Sequence, residues 1–134
     1  MLKRVFYVSA IAAGTAYIDV RAIISTSIVR NRRHDITGLL VASQSHFAQV
    51  LEGNNQNMSA LMDLIQKDSH HLAIKVLVDR PIARRLFGRW SMAYLQRYDL
   101  AEDLRRLHSS ADEALQRSVI KEMARASHEL VDDL

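Results

Sequence analysis

The chain has 134 residues, the length of one ordinary domain, and at 49% apolar it can build one full core, which excludes a disordered chain. It has no cysteine, which excludes a disulfide framework, thiolate chemistry and photochemistry through a cysteinyl adduct. The net charge of +3 is small, and the basic runs Arg30-Asn31-Arg32-Arg33-His34 and Arg84-Arg85 lack the interleaved aromatics of a nucleic-acid binder, so nucleic acid is not the expected partner.

Residues 3–9 alternate and predict a strand. Residues 18–31 carry Val20, Ile23, Ile24 and Ile28 at the spacing of an amphipathic helix. Residues 35–42 and 46–52 predict two strands joined by Ser43-Gln44-Ser45, a hairpin. Residues 56–68 repeat the helical pattern through Met58, Leu61, Met62, Leu64 and Ile65. Residues 72–78 and 89–96 predict two further strands. From Asp99 to residue 131 the pattern is helical, through Leu100, Leu104 and Leu107, then Leu115, Val119, Met123 and Leu130.

The order is βαββαβ, then a fifth strand and two helices. That is an α+β chain of the ferredoxin-like type. Two helices cover one sheet face; the C-terminal helices are the candidates to cover the other. The expected organisation is a domain over residues 1–98 and a helical extension over residues 99–134, packed on the sheet.

One residue breaks the apolar pattern. Gln49 lies inside His46-Phe47-Ala48-Gln49-Val50-Leu51 and shares a strand face with Phe47 and Leu51. A buried amide without a partner costs about 1–3 kcal/mol, so either a neighbouring group or a ligand must satisfy it. The inward stripe of the first helix, extended by a turn, reaches Asn31; that of the second reaches Asp68. Tyr7, on the Val5-Tyr7-Ser9 face, points into the same layer. Four hydrogen-bonding groups around an apolar slot suit a flat heteroaromatic ligand. Asn31 as a helix cap and Asp68 as a solvated end residue are the structural alternatives.

Other chemistry finds less support. Glycines occur only at positions 14, 38, 53 and 88, which leaves no P-loop and no dinucleotide fingerprint. His70 and His71 are adjacent and point apart, no second pair supports a metal site, and no catalytic triad can be drawn. No apolar run is long enough for a bilayer, and the N-terminus lacks a signal-peptide cleavage pattern; a soluble, cytoplasmic protein with no membrane partner is expected.

The segments Phe6-Tyr7-Val8-Ser9, Asn31 with Ile36-Thr37-Gly38-Leu39-Leu40, Phe47 to Gly53, Ile65-Gln66-Lys67-Asp68 with His71, Pro81 to Arg85, and Phe87 to Met92 appear in this order. Over residues 2–96 the chain thereby resembles a BLUF domain, the blue-light sensor that uses FAD. The resemblance implies a redox-active tyrosine at Tyr7 and, at Gln49, the glutamine that bridges it to the flavin. It implies that Asn31 holds the flavin's O4 and N3 edge and that Ile23 and Ile65 line the ring faces. It places Asp68 and His71 near the pyrimidine side and the flavin's side chain. Trp90 and Met92 match two residues that exchange places near the glutamine in some members. Two positions depart from the family. Arg30 stands where many members have Asn or His. His70 stands where an arginine usually helps to hold the C2 carbonyl side, and Arg30 is the candidate to supply the missing cation.

The resemblance implies a non-enzymatic photoreceptor whose hydrogen-bond network rearranges in light. No cyclase, phosphodiesterase or DNA-binding pattern follows residue 96, so the expected output is a change in binding to an unidentified downstream protein or in self-association as a homo-oligomer. The alternative is a light-independent protein-interaction module with a degenerate flavin site.

Overall fold

The computed structural model describes residues 1–130; the expected helical residue 131 and the last residues of the 99–134 extension lie outside the described residues. The elements are β1 (Leu2–Ile11), α1 (Tyr17–Arg33), β2 (Thr37–Ala42), β3 (His46–Asn54), α2 (Asn55–Lys67), β4 (His71–Ile82) and β5 (Ala93–Gln96). A short 3-10 turn at Tyr98–Leu100 leads into α3 (Ala101–Ser109) and then α4 (Glu113–Glu129). The strands form one sheet in the order β4-β1-β3-β2-β5. The first four are antiparallel and β5 runs parallel to β2, which is the expected ferredoxin-like arrangement with a fifth strand at its edge.

Local chemistry sets the boundaries. The Asn54 side chain accepts a bond from the Asn57 amide at 2.9 Å and starts α2 directly after β3. Asp112 does the same for Leu115 at 3.0 Å and starts α4. The turn between β2 and β3 closes through Ser43, whose amide donates to the His46 carbonyl at 3.0 Å. Gly38 lets β2 lie close to β3: a Cβ there would meet the Val50 carbonyl oxygen at 2.2 Å.

Two strand boundaries differ most from expectation. β4 runs on to Ile82 rather than ending at residue 78, because it is an edge strand paired with β1 alone and tolerates Pro81, which has no N–H to donate. The last strand begins at Ala93, not at residue 89. The Ser91 carbonyl is taken by the Asn31 side chain at 2.8 Å, so Trp90 and Met92 lie in the loop before β5.

The sheet separates two apolar layers. On one face Phe6, Val8, Leu39, Val41, Ala48 and Val50 meet Leu104 and Leu107 of α3 and Val119 and Met123 of α4. On the other, Val5, Tyr7, Leu40, Phe47 and Leu51 lie under α1 and α2, which contribute Val20, Met58 and Leu61. Along α1 only Val20, Ser27 and Asn31 are buried; the helix stands off the sheet and leaves a space.

Candidate functional site

That space is a cavity of about 450 Å³ between α1, α2 and the sheet. Its floor comes from the strands. Tyr7 of β1 and Gln49 of β3 are directly opposed across the ladder, and Leu40 of β2 is opposed to Gln49 on its other side. The Tyr7 hydroxyl donates to Gln49 Oε1, and Gln49 Nε2 donates to the Met92 sulfur at 3.4 Å. The amide is therefore satisfied on both sides by protein groups, and its orientation follows: oxygen toward the phenol, nitrogen toward the thioether.

Burial pushes the Tyr7 phenol well above its ordinary value, the Asp68 carboxylate adds to the rise, and Arg30 opposes it. The phenol is neutral at physiological pH and keeps the proton that it shares with Gln49.

The walls carry the other polar groups. Asn31, in the last turn of α1, is fully buried; its Nδ2 donates to the Ser91 carbonyl, while its Oδ1 is a buried acceptor with no partner among the described residues. Arg30 Nε is a buried donor that likewise has no partner among the described residues. Its guanidinium makes one long contact, 3.4 Å, to Ser27 Oγ. Ile23, Ile24 and Ile65 supply apolar surface.

At the end of α2, the Asp68 carboxylate accepts from the His70 backbone amide at 2.9 Å and from His70 Nδ1 at 2.7 Å. Burial pushes Asp68 up, but the two bonds from His70 and the nearby charge of His70 and His71 outweigh it, so its value is held below the ordinary carboxylate range. His71 Nε2 donates to the Ile65 carbonyl at 2.8 Å, which leaves Nδ1 to accept from Ser9 Oγ at 2.8 Å.

The structure thus gathers Tyr7, Ile23, Arg30, Asn31, Gln49, Ile65, Asp68, His70, His71 and Met92 around one cavity. It does not bring Trp90 there. That indole packs against the opposite core, and its Nε1 donates to the Ser127 carbonyl of α4 at 3.2 Å. His70, which stands where the family usually has an arginine, lines the cavity but commits Nδ1 to Asp68. Among the described residues no group of His, Cys, Asp or Glu could hold a metal ion.

A flat imide-bearing ring system fits this wall. Its N–H is the donor that Asn31 Oδ1 lacks, and its carbonyl is the acceptor that Arg30 Nε lacks. An orphaned buried polar group costs about 1–3 kcal/mol, and the two together call for a ligand with both edges. The cavity volume lies within the range of small-molecule sites.

Sequence reasoning missed one charged residue. Glu52 is fully buried, on the sheet face opposite Gln49, and pairs with Arg4 Nε at 2.8 Å. Alternation did carry the signal: Glu52 shares a face with Ala48 and Val50, and a carboxylate on an apolar face needs donors.

Comparison with known proteins gives the family. The family model for BLUF, sensors of blue light using FAD, matches residues 2–93, and the chain belongs to that family. It is 30% identical over 95 residues to the photoactivated adenylate cyclase subunit alpha of Euglena gracilis, covering 68% of this chain and 9% of that protein. It is 33% identical over 113 residues to the blue light- and temperature-regulated antirepressor BluF of Escherichia coli, covering 84% of this chain and 26% of that protein. The chain thus spans about a tenth and a quarter of these relatives, whose cyclase and antirepressor activities belong to the longer proteins. Among solved structures, the dark state of the BLUF protein BlrB superposes with a TM-score of 0.80 at 32% identity, covering 96% of this chain and 97% of that one.

The chain is a blue-light sensor whose cofactor is FAD, and proteins of this family signal to downstream partners. Among the described residues no helix is long and apolar enough to cross a membrane.

Proposed function

We propose that Tyr7, Gln49 and Met92 form the light-driven switch of this photoreceptor, and that the helices after residue 98 pass its state to a partner protein in the cytoplasm or to a second copy of the chain. The observation that carries this reading is the buried relay Tyr7–Gln49–Met92, lying on the same cavity as the unpaired Asn31 Oδ1.

FAD, when bound, supplies the blue-light chromophore and a one-electron acceptor. Asn31 and Arg30 would hold its polar edge, and Ile23 and Ile65 would supply the apolar walls. Asp68, His70 and His71 close the end of the site near α2. With that acceptor bound, Tyr7 would be its one-electron donor, and the Tyr7 hydroxyl proton would move to Gln49 Oε1. When both return to Tyr7, Gln49 is left turned or tautomerised, with a donor where its acceptor had been. That amide no longer offers the same N–H to Met92 Sδ, so the change leaves the cavity through the loop that carries Met92. Trp90, two residues earlier in that loop, already rests on α4 through Ser127. The functional division is accordingly a flavin-binding unit over residues 1–98 and an output element from residue 99.

The test is the absorption spectrum of protein purified in the dark, recorded again after blue light. A structured flavin band that shifts slightly to the red and recovers supports the reading; a colourless protein that fails to take up FAD overturns it. Tyr7→Phe should bind FAD at parental stoichiometry and lose the shift, and a reversible shift in that variant would remove Tyr7 from the mechanism.

A further inference from the structure

Residues 83–92 cross the end of the sheet from β4 on one edge to β5 on the other. The strands they pass hold them at successive points. The Glu52 carboxylate accepts from three donors: Arg4 Nε of β1 at 2.8 Å, the Leu86 amide at 3.0 Å and the Phe87 amide at 2.6 Å. Arg85 reaches back over the same strands, donating to Thr37 Oγ1 at 2.8 Å, the Glu52 carbonyl at 3.1 Å and the Asp35 carbonyl at 2.7 Å. Asp35 has a positive φ of 53°, and the guanidinium also pairs with its carboxylate at 3.2 Å. Further along, the Gly38 amide donates to the Trp90 carbonyl at 3.0 Å, and Asn31 holds the Ser91 carbonyl.

A fully buried carboxylate persists only where its charge is paired and its oxygens are hydrogen-bonded. Two of the three donors here belong to the loop, although an apolar side chain of similar volume would fill the same core at lower cost. What the carboxylate adds is a fixed position for Leu86 and Phe87, and hence for the segment that ends at Met92.

We infer that Glu52, with Arg85, is a positioning residue of the light switch: it clamps the loop so that Met92 and Ser91 meet Gln49 and Asn31. This rests on the photoreceptor reading above. Glu52 touches neither Gln49 nor the cavity; it lies on the far face of β3. It acts by setting how readily Met92 yields to a turned Gln49 and returns. Loosening the clamp lowers the barrier to that exchange and speeds the return to the dark state.

The test uses the full FAD-loaded chain carrying Glu52→Gln or Arg85→Ala. The readouts are thermal recovery after blue light and emission in the dark from Trp90, the chain's one tryptophan. Recovery should quicken about tenfold in Glu52→Gln and less in Arg85→Ala. In both variants the Trp90 emission should move to longer wavelength as the loop loosens against α4. If Glu52→Gln does not fold, Arg85→Ala, which strands no buried charge, decides alone. Recovery within about twofold of the parent, or unchanged Trp90 emission, overturns the assignment. If the parent itself shows no red shift, the photoreceptor reading falls instead, which separates the two failures.

Discussion

The two faces of the sheet are built from the same strands and do opposite things. Under α3 and α4, Phe6, Val8, Ala48 and Val50 pack against Leu104, Leu107, Val119 and Met123 with almost no exposure. Under α1 and α2, their neighbours one residue along include Tyr7 and Gln49, and the helices leave a cavity edged by polar atoms without partners. The first face is filled by the chain itself; the second leaves the cavity proposed above as the FAD site. A strand that alternates so strictly can hold a dense core and a ligand site back to back, and the two can be damaged separately.

The largest separation comes from pairing two substitutions. Leu104→Ala removes a side chain with no exposure from the filled face and should cost about 2–5 kcal/mol of stability, read by denaturant unfolding, with the red shift intact in the folded fraction. Gln49→Leu should abolish the shift entirely and, by leaving the buried Tyr7 hydroxyl without its acceptor, lower stability by less than Leu104→Ala does. If Leu104→Ala removes the shift from folded protein, the faces are not independent. A parental difference spectrum in Gln49→Leu would end the amide-switch account.

Next in size is the edge that reads the ligand. Asn31→Ala deletes both the unpaired acceptor and the bond to Ser91, and should weaken FAD binding about tenfold or more, measured by flavin fluorescence titration. Arg30→Ala should weaken it less, because the guanidinium already has Ser27 as a second contact. Equal affinity in Arg30→Ala and parent would show that Arg30 does not replace the cation that His70 fails to supply.

Much of this was legible in the chain. Alternation marked the strands, and the apolar stripe through Leu100, Leu104, Leu107, Val119 and Met123 marked a face that had to be covered. Gln49 stood out because an amide in an apolar strand needs a partner. Its partner was not legible from residue pattern alone: the opposition of Tyr7 and Gln49 depends on register between β1 and β3, which no local pattern encodes. Whether Trp90 or Met92 faces the cavity was hidden for a related reason. Both lie in a loop, where two-residue periodicity assigns no face, and the choice is made by distant groups, Gln49 for Met92 and Ser127 for Trp90. Glu52 reads as a strand-end acid until the loop from Leu86 to Phe87 is folded over it.

The smallest expected effect lies at the rim of the filled face. His46, opening β3, packs edge-on against His108 of α3 at 5.0 Å between ring centroids, and His108 Nε2 donates to the Ala73 carbonyl at 2.7 Å. Burial holds the His46 imidazole below its ordinary value, and the charges of His108 and Arg105 lower it further. The folded protein therefore takes up this proton less readily than the unfolded chain. The sign follows: stability from His46 is fully present above the unfolded value near 6.5 and is lost as pH falls below it toward the depressed folded value. Melting temperature should drop between about pH 7 and pH 5, and the drop should shrink in His46→Gln, which cannot take a proton. The cavity proposed to hold the flavin is on the other face, so the size of the red shift should not follow this titration. An identical pH dependence in His46→Gln and parent would place the titrating group elsewhere. A red shift that tracked the His46 titration would mean that the α3 contact reaches the switch through β3, which carries both His46 and Gln49.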